Sequence, residues 1–420
     1  MSRHTRSESS TIKNRLSDGV SGQLQRAYHK LWPSGQVSRL LESGIVVVYP
    51  PEIWTKILHY VTNIPYMYED LCEPQEFFQF AINHRATSAQ VDQLRAVLHQ
   101  RWYLKRVCKG WKEILEKMGR PWIRTRVRNH LPAIPAGTRR LDICGVGKDP
   151  KQNNWISRLL SSLFLPQSRR SASLDGVTTL AVEGTVLTTE DIHVQDVILD
   201  AFDRKGNQVR SLIYEENSAF IGDLFLAGLE SSFSQLTSLT IRAYWVKGEL
   251  TLQHVESVVL HVDVLDLTGW TFPSLKHYCL GSAQSDESNP LQAFDISLLP
   301  GPSLNLRSLL LYPQYELDTS MLFWQMFPAL EFLGVAQINV DSSPPEDHPL
   351  RHLGSSSRPG RRQGDVYEQL SIALEKLPHV VTLITPYIGN ESLPEGMEVS
   401  RIRLSQTCEI RGVTWTMGNA

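Results

Sequence analysis

Cysteine is scarce in this chain and badly spaced for chemistry. The 420 residues hold five (Cys72, Cys108, Cys144, Cys279 and Cys408), and no two lie closer than 36 positions. Without a C-x-x-C or a short C-x-H spacing, no structural zinc site is expected. An odd, sparse set also argues against a disulfide scaffold and for reduced thiols in a cytoplasmic or nuclear protein. Excess charge of one sign is lacking too. Forty-two basic and 44 acidic residues leave a net −2, which excludes a generally polybasic protein. Apolar runs such as residues 45–49 are short, far from the roughly 18 residues of a membrane span. Residues 1–10 have no apolar stretch of the kind a secretory signal needs, so the Asn390-Glu-Ser sequon is expected to carry no sugar.

Catalytic patterns are missing as well. The sequence contains no G-x-S-x-G elbow and no H-E-x-x-H pair. Cys144-Gly-Val-Gly147-Lys148 lacks the spacing of a phosphate loop and reads as a turn. Ser10-x-x-Lys13 lies in a polar leading segment with no packed shell to hold it. His254 and His261 read as surface residues, and Cys108 as a small apolar filler. The expectation is a protein that is not an enzyme, with no catalytic residue, cofactor or metal ligand.

What the chain does have is enough apolar residue for real cores, 41% of 47.6 kDa, and enough length for about two or three folding units. Residues 1–43 are rich in Ser, Arg and Gln and read as a flexible leading segment, with one weak helix near 23–31. The texture then changes at Tyr49-Pro50-Pro51-Glu52-Ile53-Trp54. Prolines are tolerated in a first helical turn, and Glu52 there complements the dipole. Ile53, Ile57, Leu58 and Val61 follow on one face. Ser88 reads as the N-cap of a helix carrying Val91, Leu94 and Leu98. Leu104, Val107, Cys108, Trp111, Ile114, Leu115 and Met118 read as one amphipathic helix. Residues 44–130 are thus expected to form a small all-helical domain with an irregular insertion.

From 138 to 420 the pattern becomes apolar-x-x-apolar-x-apolar. The middle positions fall at Leu180, Leu212, Leu239, Val258, Tyr278, Leu309, Leu333, Leu383 and Ile402. At this composition a three-position match arises by chance at about 0.07 per window, so the count decides nothing. The flanks carry more. Phe272-Pro-Ser-Leu275, Phe327-Pro-Ala-Leu330 and Leu377-Pro-His-Val380 each place a proline just before a strand, two of them after a helical run. Helix, stop and short strand, repeated, point to stacked units. The long step before Leu383 contains residues 341–365, dense in Ser, Pro, Gly and Arg, expected to be a disordered insertion. Residues 281–290 read as a shorter one. The strand face away from the core would carry Thr240, Arg242, Tyr244, His261, Asp263, His277 and Tyr312.

Residues 101–140 hold twelve basic side chains against Glu113 and Glu116, interleaved with Trp102, Tyr103, Trp111 and Trp122. No nucleic-acid motif accompanies them, so the cluster reads as a solvated face or a patch meeting an acidic protein, not as a nucleic-acid surface.

Pro50-Pro51-Glu52-Ile53-Trp54-x-x-Ile57-Leu58 resembles the opening of an F-box, and Leu104-x-x-Val107-Cys108-Lys109-x-Trp111 its close. The whole is similar to fungal F-box-like proteins with degenerate leucine-rich repeats. It departs from them in the insertion near 63–100 and in Tyr49, where leucine is usual. The resemblance implies an α+β chain, with a small all-α F-box-like domain followed by an α/β leucine-rich-repeat-like solenoid. It implies a substrate receptor of an SCF-type ubiquitin ligase that binds a Skp-family adaptor and cullin scaffold, and an unknown target protein. The adaptor would meet Pro50, Pro51, Glu52, Ile53, Trp54, Ile57, Leu58, Leu104, Val107, Cys108 and Trp111, with Trp54 as the outward-facing anchor. The alternative is a non-catalytic repeat scaffold for protein–protein interaction with no ligase link.

Overall fold

A computed structural model describes residues 51–62, 87–118, 122–125, 134, 138–144, 176–183, 208–267, 269–282, 292–295, 298–299, 304–312, 315–355, 366–386 and 397–418. Expectations for 1–43, Tyr49, Pro50, Gly147, Lys148, 283–290, 356–365 and Asn390 lie outside these residues. The chain divides into two compact units, Met1–Pro65 with Thr87–Pro121, and Tyr66–Ala86 with Trp122–Ala420.

The first unit has three described helices, α1 (Pro51–Thr62), α2 (Thr87–Leu104) and α3 (Lys109–Lys117). Ile57, Leu58, Val61, Leu104 and Leu115 form its core, with Ile53, Trp54, Trp111, Ile114 and Met118 packed around it. The single amphipathic helix expected from Leu104 to Met118 is instead two helices. The break falls at Lys105–Val107, where the Arg106 and Val107 amides turn back to Tyr103 O and Leu104 O. Cys108 is extended (φ −158°, ψ 163°) and caps α3, its Sγ accepting from Trp111 N. It is an exposed cap, not a core filler.

The second unit is built on one parallel sheet. Its strands are β1 (Trp122–Thr125), β2 (Arg140–Cys144), β3 (Thr179–Glu183), β4 (Ser211–Ile221), β5 (Ser238–Lys247), β7 (Ser257–Asp266), β9 (His277–Gly281), β11 (Ser308–Leu311), β13 (Phe332–Val335), β15 (His352–Ser355), β16 (Thr382–Pro386) and β17 (Thr414–Gly418). These 12 strands stand side by side in chain order. Short outer strands lie between them: β6 (Leu250–Thr251) pairs with β8 (Trp270–Thr271), and β10 (Gln292–Ala293), β12 (Tyr315–Asp318) and β14 (Gln337–Asn339) make a second ribbon.

The register at the central apolar positions is continuous, with a shift only in β4–β5 beyond Glu216. Leu141, Leu180, Leu212, Leu239, Val258, Tyr278, Leu309, Leu333, Leu353, Leu383 and Trp415 are successive partners across the sheet. A slip of one residue would move a whole strand's apolar set to the other face, so burial pins this register. The strands of this sheet from β3 to β16 also start the same way. Two consecutive amides converge on one carbonyl of the strand before: Arg210 and Ser211 on Thr178 O, Glu256 and Ser257 on Thr237 O, Arg307 and Ser308 on Lys276 O. Between neighbouring strand starts, Lys276 pairs with Glu256 at 2.7 Å and Arg307 with Glu331 at 2.9 Å.

The fold class expected from the resemblance is therefore corrected. A small all-α domain followed by a leucine-rich-repeat-like solenoid called for a helix in each repeat. The second unit is instead an α/β sheet of 12 parallel strands with few helices. Among the described residues its helices are α4 (Asp223–Ser232), α5 (Met321–Met326), α6 (Val366–Lys376) and α7 (Met397–Arg411). The two-residue strands β6 and β8 lie between β5 and β7 and between β7 and β9, where a solenoid of helix–strand repeats would carry helices. The sheet also starts at Trp122, inside the range expected to be helical throughout.

Two further expectations fail locally. Residues 399–404 are not a strand but part of α7. Leu404 and Cys408, one helical turn apart, are buried, while Val399 and Ile402 are exposed. Residues 341–355 are not a disordered insertion. His348, Leu350 and Leu353 are buried there, and β15 fills the place between β13 and β16.

Candidate functional site

The predicted adaptor-binding residues split by burial. Ile57, Leu58 and Leu104 are core, Leu58 completely so. They hold the helices together and present nothing to a partner. Ile53 and Trp54 are half-buried, and the Trp54 ring packs 4.8 Å from that of Trp111 while keeping part of its surface exposed. Glu52, Val107 and Cys108 are exposed, and nothing is described for the Pro51 side chain.

Among the described residues of this unit, the outward-facing apolar surface lies at the α2–α3 turn. Trp102, Tyr103 and Val107 are 53%, 51% and 62% exposed. The two rings meet edge to face at 5.0 Å, and the Arg106 guanidinium lies 4.5 Å over the Trp102 ring. Their placement follows from Arg101 and Leu104, which turn inward on the same helix. A finer reading of α2 by its inward residues would have found Trp102 and Tyr103.

The basic cluster is likewise two things. Arg101 is buried and donates to Leu115 O at 3.0 Å and to Thr62 Oγ1 at 3.4 Å, tying the ends of α1 and α3 to α2. A cation beside the last carbonyls of a helix is stabilising. Arg140 is buried in the sheet unit, its Nε 2.7 Å from Asp142 Oδ1, while Asp142 Oδ2 accepts from Trp122 Nε1 at 2.8 Å. Arg106, Lys109, Lys112 and Lys117 remain exposed.

The sheet unit has a polar face opposite its main core. Glu215, Arg242, His261 and Gly281 are successive Cα partners on β4, β5, β7 and β9. The row crosses the middle of β4, β5 and β7 and ends on the last residue of β9. Gly281 has a steric task. A Cβ there would come within 2.7 Å of His261 Nδ1 and 3.0 Å of the Tyr312 ring, and the gap lets those rings meet at 4.8 Å. Asp263 accepts a short hydrogen bond from Ser282 Oγ. Thr240, His277 and Tyr312 are buried, Arg242 and Asp263 half-buried and Tyr244 exposed. All seven residues assigned to this face from parity are on it. His261 is buried, correcting its reading as a surface residue, whereas His254 is exposed.

Below the row, Val259, Cys279, Leu310, Tyr312, Phe332 and Ile384 form a second apolar cluster. Burial pushes the Cys279 thiol well up, which keeps it protonated and poorly nucleophilic. At the strand starts this face bears Thr179, Ser211, Ser238, Ser257, His277 and Ser308 in register, with His277 Nδ1 3.0 Å from Ser308 Oγ. Of this row the sequence reading names only His277. Its signal is a Ser, Thr or His immediately before each middle apolar residue from Leu180 to Leu309.

Among the described residues no group of three or more His, Cys, Asp or Glu could hold a metal ion, and no helix is long and apolar enough to cross a membrane. No protein-family model matches the chain, and no curated protein matches it.

Proposed function

We propose that the chain is a non-catalytic receptor subunit of an SCF-type ubiquitin ligase, acting in the cytoplasm or nucleus. Its helical unit is held by a Skp-family adaptor on a cullin scaffold, and its sheet unit holds a target protein. The observation that carries this reading is the exposed apolar surface of Trp102, Tyr103 and Val107, beside the Val107-Cys108-Lys109-x-Trp111 run that resembles an F-box close. Among the described residues five buried side chains form a core, and aromatic surface left in water beside it suits a partner.

The test is a titration of the tagged full-length protein with a recombinant Skp-family adaptor. One-to-one binding is expected, and Trp102→Ala or Val107→Asp should weaken it by at least about tenfold, the effect of losing one anchor worth roughly 1.4 kcal/mol. Both side chains are exposed, so the variants keep the fold. A folded protein that binds no adaptor ends the reading.

A further inference from the structure

His348 stands on the segment between β14 and β15, buried at 4% exposure among groups that permit one protonation state. Its Nε2 lies 3.0 Å from Phe327 O, and its Nδ1 lies 3.3 Å from Leu350 N. A carbonyl can only accept, so Nε2 carries the proton. An amide N–H can only donate, so Nδ1 is bare. A second proton would occupy the lone pair that Leu350 uses and bury a charge beside the Trp324 ring, 5.1 Å away.

The same segment is fastened at other points. Trp324 Nε1 donates to Ser342 O at 2.8 Å, Ser342 N to Thr319 O at 3.0 Å and Lys376 Nζ to Val340 O at 2.6 Å. Arg351 donates to His348 O at 3.2 Å and to Leu350 O at 3.1 Å. Most of these bonds join groups that keep their charge state between pH 5 and 8. His348 is the member that changes.

We propose that residues 341–350 form a pH-sensitive latch: proton uptake by His348 releases the segment from α5 and uncovers Trp324 and Phe327. The charged and titratable groups that face the imidazole act in both directions. Asp347 favours the charged form, and Arg351 and His379 disfavour it. Burial is the largest influence and lowers the pKa of His348 from its ordinary value. A folded value below the unfolded one means that the latch is fully stabilised above about pH 6.5 and weakens as pH falls through the folded pKa.

Hydrogen exchange of the full chain between pH 7.5 and 5.0, corrected for intrinsic exchange, tests this. As pH falls from about 6.5 to the folded pKa, the open fraction of a peptide covering 341–352 should rise by up to about tenfold per pH unit and then level off, while one covering 238–260 stays level throughout. His348→Gln keeps a donor for Phe327 O and cannot gain a proton, so its profile should be flat. A flat wild-type profile, or an equal slope in the variant, overturns the latch. Should the variant not fold, imidazole NMR on the wild type decides. A neutral Nε2–H ring at pH 7 that titrates in step with exchange supports the latch, and titration at the ordinary histidine value refutes it.

Discussion

Single atoms decide several of these arrangements, and Gly281 is the sharpest case. Its backbone needs no unusual dihedral; what it supplies is the missing Cβ between His261 and Tyr312. Both neighbours are buried ring systems within a packed face, so neither can swing away freely. Gly281→Ala should therefore cost about 1–3 kcal/mol, the usual penalty of overpacking. Gly110 is the internal contrast. It lies in the first turn of α3 with nothing within 4 Å of a built Cβ, so Gly110→Ala should stabilise by about 0.4–1 kcal/mol through the unfolded chain. Urea unfolding of both variants separates the cases. Equal effects would mean that the His261–Tyr312 contact is loose. The same logic of neighbours explains Asp142, whose two oxygens are taken by Arg140 and Trp122. It compensates a buried guanidinium that would be costly alone.

Elements were legible in the sequence where periodicity and packing agree. The middle positions from Leu180 to Leu333, together with Leu383, stand in one ladder because each strand buries alternate residues against the same core. The parity of the opposite face follows from that, which is why Arg242, His261 and Tyr312 were placed together. Legibility ended where two periods fit the same residues. Val399, Ile402 and Leu404 satisfy a strand pattern, yet the chain buries Leu404 and Cys408, four apart, and leaves Val399 and Ile402 in water. Composition misled at 341–355, where Ser and Pro surround Leu350 and Leu353. In the helical unit, the spacing from Leu104 to Met118 could not reveal that Cys108 caps a new helix. The α7 reading has a direct measure. Leu404→Ala should cost about 2–5 kcal/mol, and Ile402→Ala should stay within about 0.5 kcal/mol. Comparable losses at both positions would return the segment to a strand with Ile402 inward.

At the scale of the whole molecule, the apolar residues fall into separate cores. The sheet unit carries a main core along one face and the smaller cluster under the polar row, while five of the described residues of the helical unit form a core of their own. Stability need not be uniform across such a chain, because each core opens with its own free energy. Leu58 is the place to ask this, since it is fully buried and belongs to the helical core alone. Leu58→Ala removes three carbons from that core and should cost about 2–5 kcal/mol, a large share of what so small a unit can have. Native-state hydrogen exchange should then show protection lost across 51–62 and 87–118 and unchanged across 238–260. Loss in both regions would mean that the units unfold as one cooperative body. The distinction bears on the adaptor test. If the losses separate, a binding defect in Leu58→Ala reports an unfolded helical unit, and only the exposed residues Trp102 and Val107 can report on the contact itself.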